Sequence, residues 1–173
     1  MIVPVGRLAA CLAITTPLAA CVAAPAAVEG ASPRGWSALG ERTYSCARPA
    51  CPYPGRAGHE LVALGPSGDT LFETNDEATR RAFQRAFDSA VERSRLGAGR
   101  DYRIEGPITR AMIGAHETLR FAVTGSDAGD APAEPGHAIV LQKDGRFHMV
   151  FAFADTETAA RAAALDFVNA ITL

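Results

Sequence analysis

The chain has 173 residues, 21% of them charged, and a formal net charge of −2 at pH 7. This balance gives no electrostatic case for nucleic-acid binding, which depends on an excess of clustered lysine and arginine. Without its first 20 residues the chain keeps about 150, which is enough for one domain with a substantial core.

Residues 1–20 have the composition of an exported leader. Arg7 is the only charged residue among the first 27, and the segment from Leu8 to Ala20 has no charge. A helix of that length spans about 20 Å, whereas the hydrocarbon core of a membrane is ~30 Å thick. The segment is therefore predicted to be a cleaved signal peptide rather than a transmembrane helix.

Leu18, Ala19 and Ala20 stand immediately before Cys21 at the end of this leader. The four residues resemble the lipobox of bacterial lipoproteins. The resemblance implies that a peptidase cuts before Cys21, that the Cys21 sulfur carries a diacylglycerol, and that the new amino group is acylated. The alternative is an ordinary secretory leader cut near Ala20 or Ala24.

The same four letters occur at 8–11, but a cut before Cys11 would leave almost no apolar segment ahead of it. Cys21 is therefore the predicted lipidation site, and the membrane is a predicted partner through that anchor. One acyl chain binds a membrane only marginally, whereas two or three hold a protein permanently. In enteric bacteria Asp after the cysteine retains a lipoprotein in the inner membrane, so Val22 favours the outer membrane, with the domain facing the periplasm.

Residues 21–35 are predicted to form the lipidated cysteine and a disordered tether, because Ala, Pro, Gly and Ser dominate them. The single globular domain is predicted to span 36–173. Its two cysteines, Cys46 and Cys51, are expected to form one disulfide in an oxidising compartment. A metal site would need two further ligands, and only His59 lies nearby in sequence.

The first part of the domain is predicted to contain short strands at 41–46 and 59–64, with a turn-rich loop at 49–58. A helix follows, capped by Thr74 or Asn75 and ended by glycines near residue 97. Its apolar stripe has three- and four-residue spacing, and its arginine-rich opposite side is predicted to be solvated rather than anion-binding. The stripe consists of Ala78, Ala82, Phe83, Ala86, Phe87, Ala90 and Val91.

After residue 100 the apolar pattern changes to alternation. Strands are predicted at 102–105, 108–113 and 117–124, the first two separated by Gly106-Pro107, and a polar loop is predicted at 125–136. The clearest element is a β-hairpin turning at Asp144-Gly145, with Lys143 opposite Arg146. It places four apolar residues on one face, predicted to pack against the helix stripe: Phe147, Met149, Phe151 and Phe153.

A second helix, capped by Asp155 or Thr156, closes the domain. The predicted fold class is thus α+β, an antiparallel sheet of about five strands packed by two main helices. The order of a meander through Ile113, the hairpin at Asp144-Gly145 and a closing helix resembles the PsbP-like α/β/α sandwich over about the last 75 residues. This resemblance implies a non-catalytic module that binds or assembles other proteins.

No catalytic residue, metal site or cofactor is predicted. Neither G-x-S-x-G nor S-x-x-K occurs, and the four histidines have no metal-ligand spacing: His59, His116, His137 and His148. The leading hypothesis is a membrane-anchored lipoprotein that serves as a binding or envelope-assembly accessory for an unidentified envelope protein. The alternatives are a periplasmic carrier of a small hydrophobic ligand, held between the phenylalanine face and the helices, and a small envelope enzyme.

Overall fold

The computed structural model describes residues 32–64, 76–97, 99–126 and 132–171. The predicted lipobox, the predicted lipidation site Cys21 and most of the predicted tether lie outside these residues. In chain order the elements are β1 (Ser37–Gly40), β2 (Thr43–Cys46), β3 (Gly55–Val62), α1 (Glu77–Ser94), β4 (Asp101–Ile113), β5 (His116–Ser126), β6 (Glu134–Lys143), β7 (Arg146–Phe153) and α2 (Glu157–Ala170).

The strands form one antiparallel sheet of seven strands in the order β1-β2-β3-β7-β6-β5-β4. The prediction of an antiparallel sheet with two main helices is confirmed, but the prediction of about five strands is wrong. All four residues of β1 are exposed, so this strand carries no alternating apolar pattern that could reveal it in the sequence. It pairs only with β2, at one edge of the sheet.

Several boundaries within the sheet also differ from the prediction. β6 begins at Glu134, inside the loop predicted at 125–136, because Glu134 and Pro135 already pair with β5. β4 runs through Gly106-Pro107 as one strand. Its pairing with β5 shifts register between Glu105 and Thr109 and then continues, as at a β-bulge. β3 begins inside the predicted loop, at Gly55. A glycine is needed on β3 because a Cβ at Gly58 would lie 2.5 Å from the ring of Phe151.

Both helices form where expected, but both ends of α1 differ from the prediction. Asp76, rather than Thr74 or Asn75, caps α1 by accepting a 2.7 Å hydrogen bond from the backbone N–H of Thr79. The helix ends in a left-handed Arg95 instead of a glycine. Thr156, one of the two predicted caps, begins α2.

The two helices lie on opposite faces of the sheet, which makes three layers. Because side chains alternate along a strand, Ala138 and Val140 of β6 pack on the α1 side, and Ile139 and Leu141 pack on the α2 side. No helix among the described residues is long and apolar enough to cross a membrane.

The hairpin has its predicted register, with Lys143 opposite Arg146 and Asp144 and Gly145 both at positive φ. Its phenylalanine face packs on α1 as predicted, and Phe87 lies at the centre of that contact. The Phe87 ring meets four others edge-on, with centroids 5.7–6.5 Å apart: Tyr102, Phe121, Phe151 and Phe153.

Candidate functional site

The predicted disulfide is part of the hydrophobic core. The sulfur atoms of Cys46 and Cys51 are joined, with the Cα atoms 5.6 Å apart, and both residues are almost fully buried. They belong to the same α2-side cluster as Trp36 and Phe167. The bridge therefore fixes the loop between β2 and β3 beneath α2, which is a structural role.

The beginning of the domain is held by α2. Trp36 is 3% exposed, its ring lies 4.9 Å from that of Phe167, and its indole N–H donates to Asp166 at 3.1 Å. The backbone N–H of Trp36 donates to the carbonyl of Pro33 at 2.8 Å. Backbone contacts therefore begin three residues before the predicted domain boundary at residue 36.

Glu60 is a buried carboxylate between two arginines. It is 5% exposed and lies 3.4 Å from a guanidinium nitrogen of Arg42 and 3.2 Å from one of Arg93. Arg93 also donates to the carbonyl of Leu61, and Arg80 donates to two carbonyls of β4. Two arginines of the polar side of α1 therefore attach this helix to the sheet, which the prediction of a solvated face did not anticipate.

Glu134 is the centre of a second satisfied cluster. It accepts a hydrogen bond from the Tyr102 hydroxyl at 2.7 Å and pairs with Arg100 at 2.9 Å and with Arg56. Burial raises the pKa of Tyr102, and the hydrogen bond to Glu134 raises it further. The hydroxyl therefore stays protonated, and the cluster holds β4, β6 and β3 together instead of supplying a base.

His59 and His148 meet on neighbouring strands. His59 lies opposite Val150, so both histidines point to the α2 side, and Nε2 of His59 is 2.9 Å from Nδ1 of His148. Burial lowers the pKa of His59 to about 4, with His148 and Arg42 lowering it further. Burial also lowers the pKa of His148, and Lys143 adds to this shift. Both rings are therefore neutral near pH 7.

His137 has an unusual environment. It lies between Ala122 and Ala152 on the α2 side, it is 7% exposed, and neither ring nitrogen has a hydrogen-bond partner among the described residues. Burial lowers its pKa to about 4, and the charges of Arg161 and Arg120 lower it further. His137 is thus a buried polar group whose protonated form is disfavoured by burial and by two arginines.

The structure does not bring the histidines together as a metal site. His116 is exposed at the start of β5, and His137 and His148 lie opposite different residues, Ala152 and Leu141. Within the described ranges, no group of three or more His, Cys, Asp or Glu side chains is arranged to hold a metal ion.

Sequence reasoning missed both histidine environments. The hairpin register correctly placed His148 and His137 opposite Leu141 and Ala152. The contact with His59, however, depends on the pairing of β3 with β7, which joins segments about 90 residues apart and leaves no local signal. The cationic surroundings of His137 depend on where α2 crosses the sheet.

No family model matches the sequence, and no curated protein matches it. Among solved structures the chain is similar to LpqN, a protein involved in cell envelope biogenesis of Mycobacterium tuberculosis. The sequence identity is 15% and the TM-score is 0.39, over 81% of this chain and 76% of LpqN.

Proposed function

We propose that this chain is a lipid-anchored lipoprotein of the bacterial cell envelope whose domain faces the periplasm. The domain acts as a non-catalytic binding or envelope-assembly accessory for another envelope component. The observation that carries this proposal is the sequence Leu18-Ala19-Ala20-Cys21 at the end of a leader too short to span a membrane. Val22 favours the outer membrane as the destination.

The packing of the domain favours binding at its surface over carriage of a hydrophobic ligand. Carriage would need space between the hairpin's phenylalanine face and α1. Met149, Phe151 and Phe153 are at most 1% exposed, and Phe83 and Phe87 of α1 are fully buried against this face. In the part of the chain that the structure describes, these side chains fill the interface.

Mass spectrometry of the protein from the membrane fraction tests the anchor directly. We expect an N-terminal peptide that begins at Cys21 and carries a diacylglycerol and an amide-linked acyl chain. Cys21→Ala should move the protein to the soluble periplasmic fraction. The matched control is Cys11→Ala, which changes the earlier copy of the same four letters and should leave the protein in the membrane.

A soluble wild-type protein with a free thiol at Cys21 would contradict the proposal. If Cys11→Ala released the protein from the membrane and Cys21→Ala did not, the lipidated residue would be Cys11, in the first copy of the motif. The destination has its own test in an enteric host, where Val22→Asp should shift the protein to inner-membrane fractions of a sucrose gradient. The cysteine and its lipids are unchanged in that variant.

A further inference from the structure

A groove lies between the β1–β2 hairpin and the C-terminal end of α1, and β3 contributes residues to it. Its volume is about 790 Å³, which is within the range of ligand-binding clefts. Four arginines line it, one from the turn between β1 and β2, one from β3 and two from the end of α1: Arg42, Arg56, Arg93 and Arg95. We call this surface the arginine groove.

Three of these arginines are held in place by the protein and remain open to solvent. Arg42 and Arg93 donate to the same oxygen of Glu60, at 3.4 and 3.2 Å. Arg56 donates to the carbonyl of Leu96 at 3.0 Å. The side chains of the three arginines are 42–46% exposed. Because a guanidinium has five N–H groups, each of them keeps oriented donors that a ligand can reach.

Arg95 differs from the other three because the protein does not hold its side chain. It is exposed, and its side chain forms no ion pair or hydrogen bond with the described residues. Its backbone φ is 59°, in the left-handed region that glycine usually occupies at the end of a helix. An arginine here therefore costs folding free energy relative to a glycine, and no side-chain contact within the described part of the chain offsets that cost.

The arginine groove is positive although the chain as a whole has a formal net charge of −2. Two carboxylates line the groove together with the four arginines. One is Glu60, which two of the arginines already pair, and the other is Glu41 in the turn between β1 and β2. Glu134 pairs with Arg56 from outside the groove and is shared with Arg100. The groove therefore favours an anionic ligand, even though the whole molecule would repel one weakly.

The cations are spread along β3. Arg56 and Glu60, which holds two further arginines, lie four positions apart on one face of this strand, so their Cα atoms are about 13 Å apart. A single small anion would leave one end unused, whereas an extended peptide presents every second side chain to the same side, about 7 Å apart. Leu39 lines the groove and is 58% exposed, so it offers an apolar contact. Among the described residues that line the groove, none has an aromatic ring on which a sugar could stack.

We propose that the arginine groove binds an extended acidic segment of a partner protein, whose carboxylates pair with the guanidinium groups along β3 and with Arg95. A planar carboxylate matches a guanidinium through two parallel hydrogen bonds. The partner supplies the contact that the Arg95 side chain lacks within the described part of the chain. The inference rests on the proposal that the domain is a non-catalytic binding module and names the chemistry of its partner, but it does not depend on the lipid anchor.

The test uses the full-length chain in a non-ionic detergent and a fluorescent synthetic peptide of alternating Asp and Ser, with an alternating Asn and Ser peptide as the neutral probe. We expect the acidic peptide to bind more tightly, and less so as sodium chloride is raised. Arg95→Glu should weaken binding about tenfold or more, because an attraction becomes a repulsion. Arg95→Gly should weaken binding about three- to fivefold without lowering the urea midpoint, because glycine suits the left-handed backbone. The matched control is Arg103→Glu, at an exposed arginine on β4 at the other edge of the sheet, which should bind like the wild type.

Equal affinities for the acidic and the neutral peptide would overturn the inference. Equal losses in Arg95→Glu and Arg103→Glu would also overturn it, because only the net charge of the chain would then matter. An oligogalacturonate with the same number of carboxylates as the peptide tests a carbohydrate partner, and its tighter binding would exclude the acidic peptide as the favoured ligand. Cys21→Ala should bind the peptide as the wild type does, so a failure of the lipid anchor and a failure of the arginine groove are distinguished.

Discussion

His59 and His148 form a hydrogen bond whose geometry excludes a metal ion between them in this arrangement. Their ring planes differ by 9°, and the centroids are 5.2 Å apart, which is about the 2.9 Å N···N distance plus the two ring radii. The rings are therefore nearly coplanar and point at each other. A metal ion bound by both nitrogens at about 2.0 Å would need them about 4 Å apart in this alignment.

The lowered histidine pKa values predict acid sensitivity. His59 and His137 have a pKa of about 4 in the folded protein, whereas an ordinary histidine, as in the unfolded chain, has a pKa of 6.5. The unfolded chain thus binds protons that the folded chain does not, so the stability contributed by each neutral ring is complete above pH 6.5 and is lost as the pH falls towards 4. The loss at pH 4 is on the order of 3 kcal/mol for each histidine.

Urea denaturation between pH 7 and pH 4 measures this dependence. His59→Gln and His137→Gln should each make the unfolding free energy less dependent on pH. The control, His116→Gln, changes an exposed histidine at the start of β5 and should keep the wild-type slope. A slope that none of the three variants alters would show that carboxylates, not these histidines, control acid unfolding.

The disulfide closes a short loop, since Cys46 and Cys51 are separated by five positions. The loop-entropy relation gives about 2 kcal/mol of stabilisation for a loop of this size. We expect reductant to lower the unfolding free energy of the wild type by about that amount. The same reductant should not affect the Cys46→Ala, Cys51→Ala double variant, and an equal effect on both proteins would mean that the bridge is absent.

At the scale of elements, the packing of α1 on the sheet is centred on one residue, Phe87. Phe87 is fully buried among four rings that come from β4, β5 and β7. Phe87→Ala should cost about 3–5 kcal/mol of unfolding free energy, because the rigid strands beneath cannot close the cavity. Phe87→Leu keeps most of the volume and should cost clearly less. Equal losses in the two variants would mean that the sheet collapses into the space.

The elements that the sequence predicted well are those specified by neighbouring residues. The turn at Asp144-Gly145 and the alternation around it determined the hairpin register, and helical spacing determined the buried face of α1. Elements specified by distant partners escaped prediction. The start of β3 at Gly55 is a strand only because β2 and β7 pair with it.

The same distinction applies to the candidate sites. Cys21 is proposed as the lipidation site from a contiguous motif, which is visible in the sequence alone. His137 is buried between β5 and β7, because Ala122 and Ala152 flank it only after the sheet has assembled. A lone histidine in the sequence carries no sign of such burial, because histidine as a residue type is intermediate between buried and exposed.

At the scale of the whole molecule, the two hydrophobic clusters share one set of strands. Successive residues of β6 and β7 alternate between them, so Val140 and Met149 pack under α1 while Ile139 and Val150 pack under α2. If β6 and β7 unfolded, the hydrophobic clusters on both faces of the sheet would be exposed together. The domain should therefore unfold as one cooperative unit.

Trp36 reports on this coupling because it is the only tryptophan in the chain and lies in the α2-side cluster. In Phe87→Ala, a change confined to the α1 side, the urea midpoint of Trp36 fluorescence should fall together with the midpoint of far-UV circular dichroism. Phe87→Leu should show the same coincidence with a smaller shift. If Trp36 kept its wild-type midpoint while the circular dichroism midpoint fell, the α2 side would be folding independently, and the shared strands would not couple the two faces.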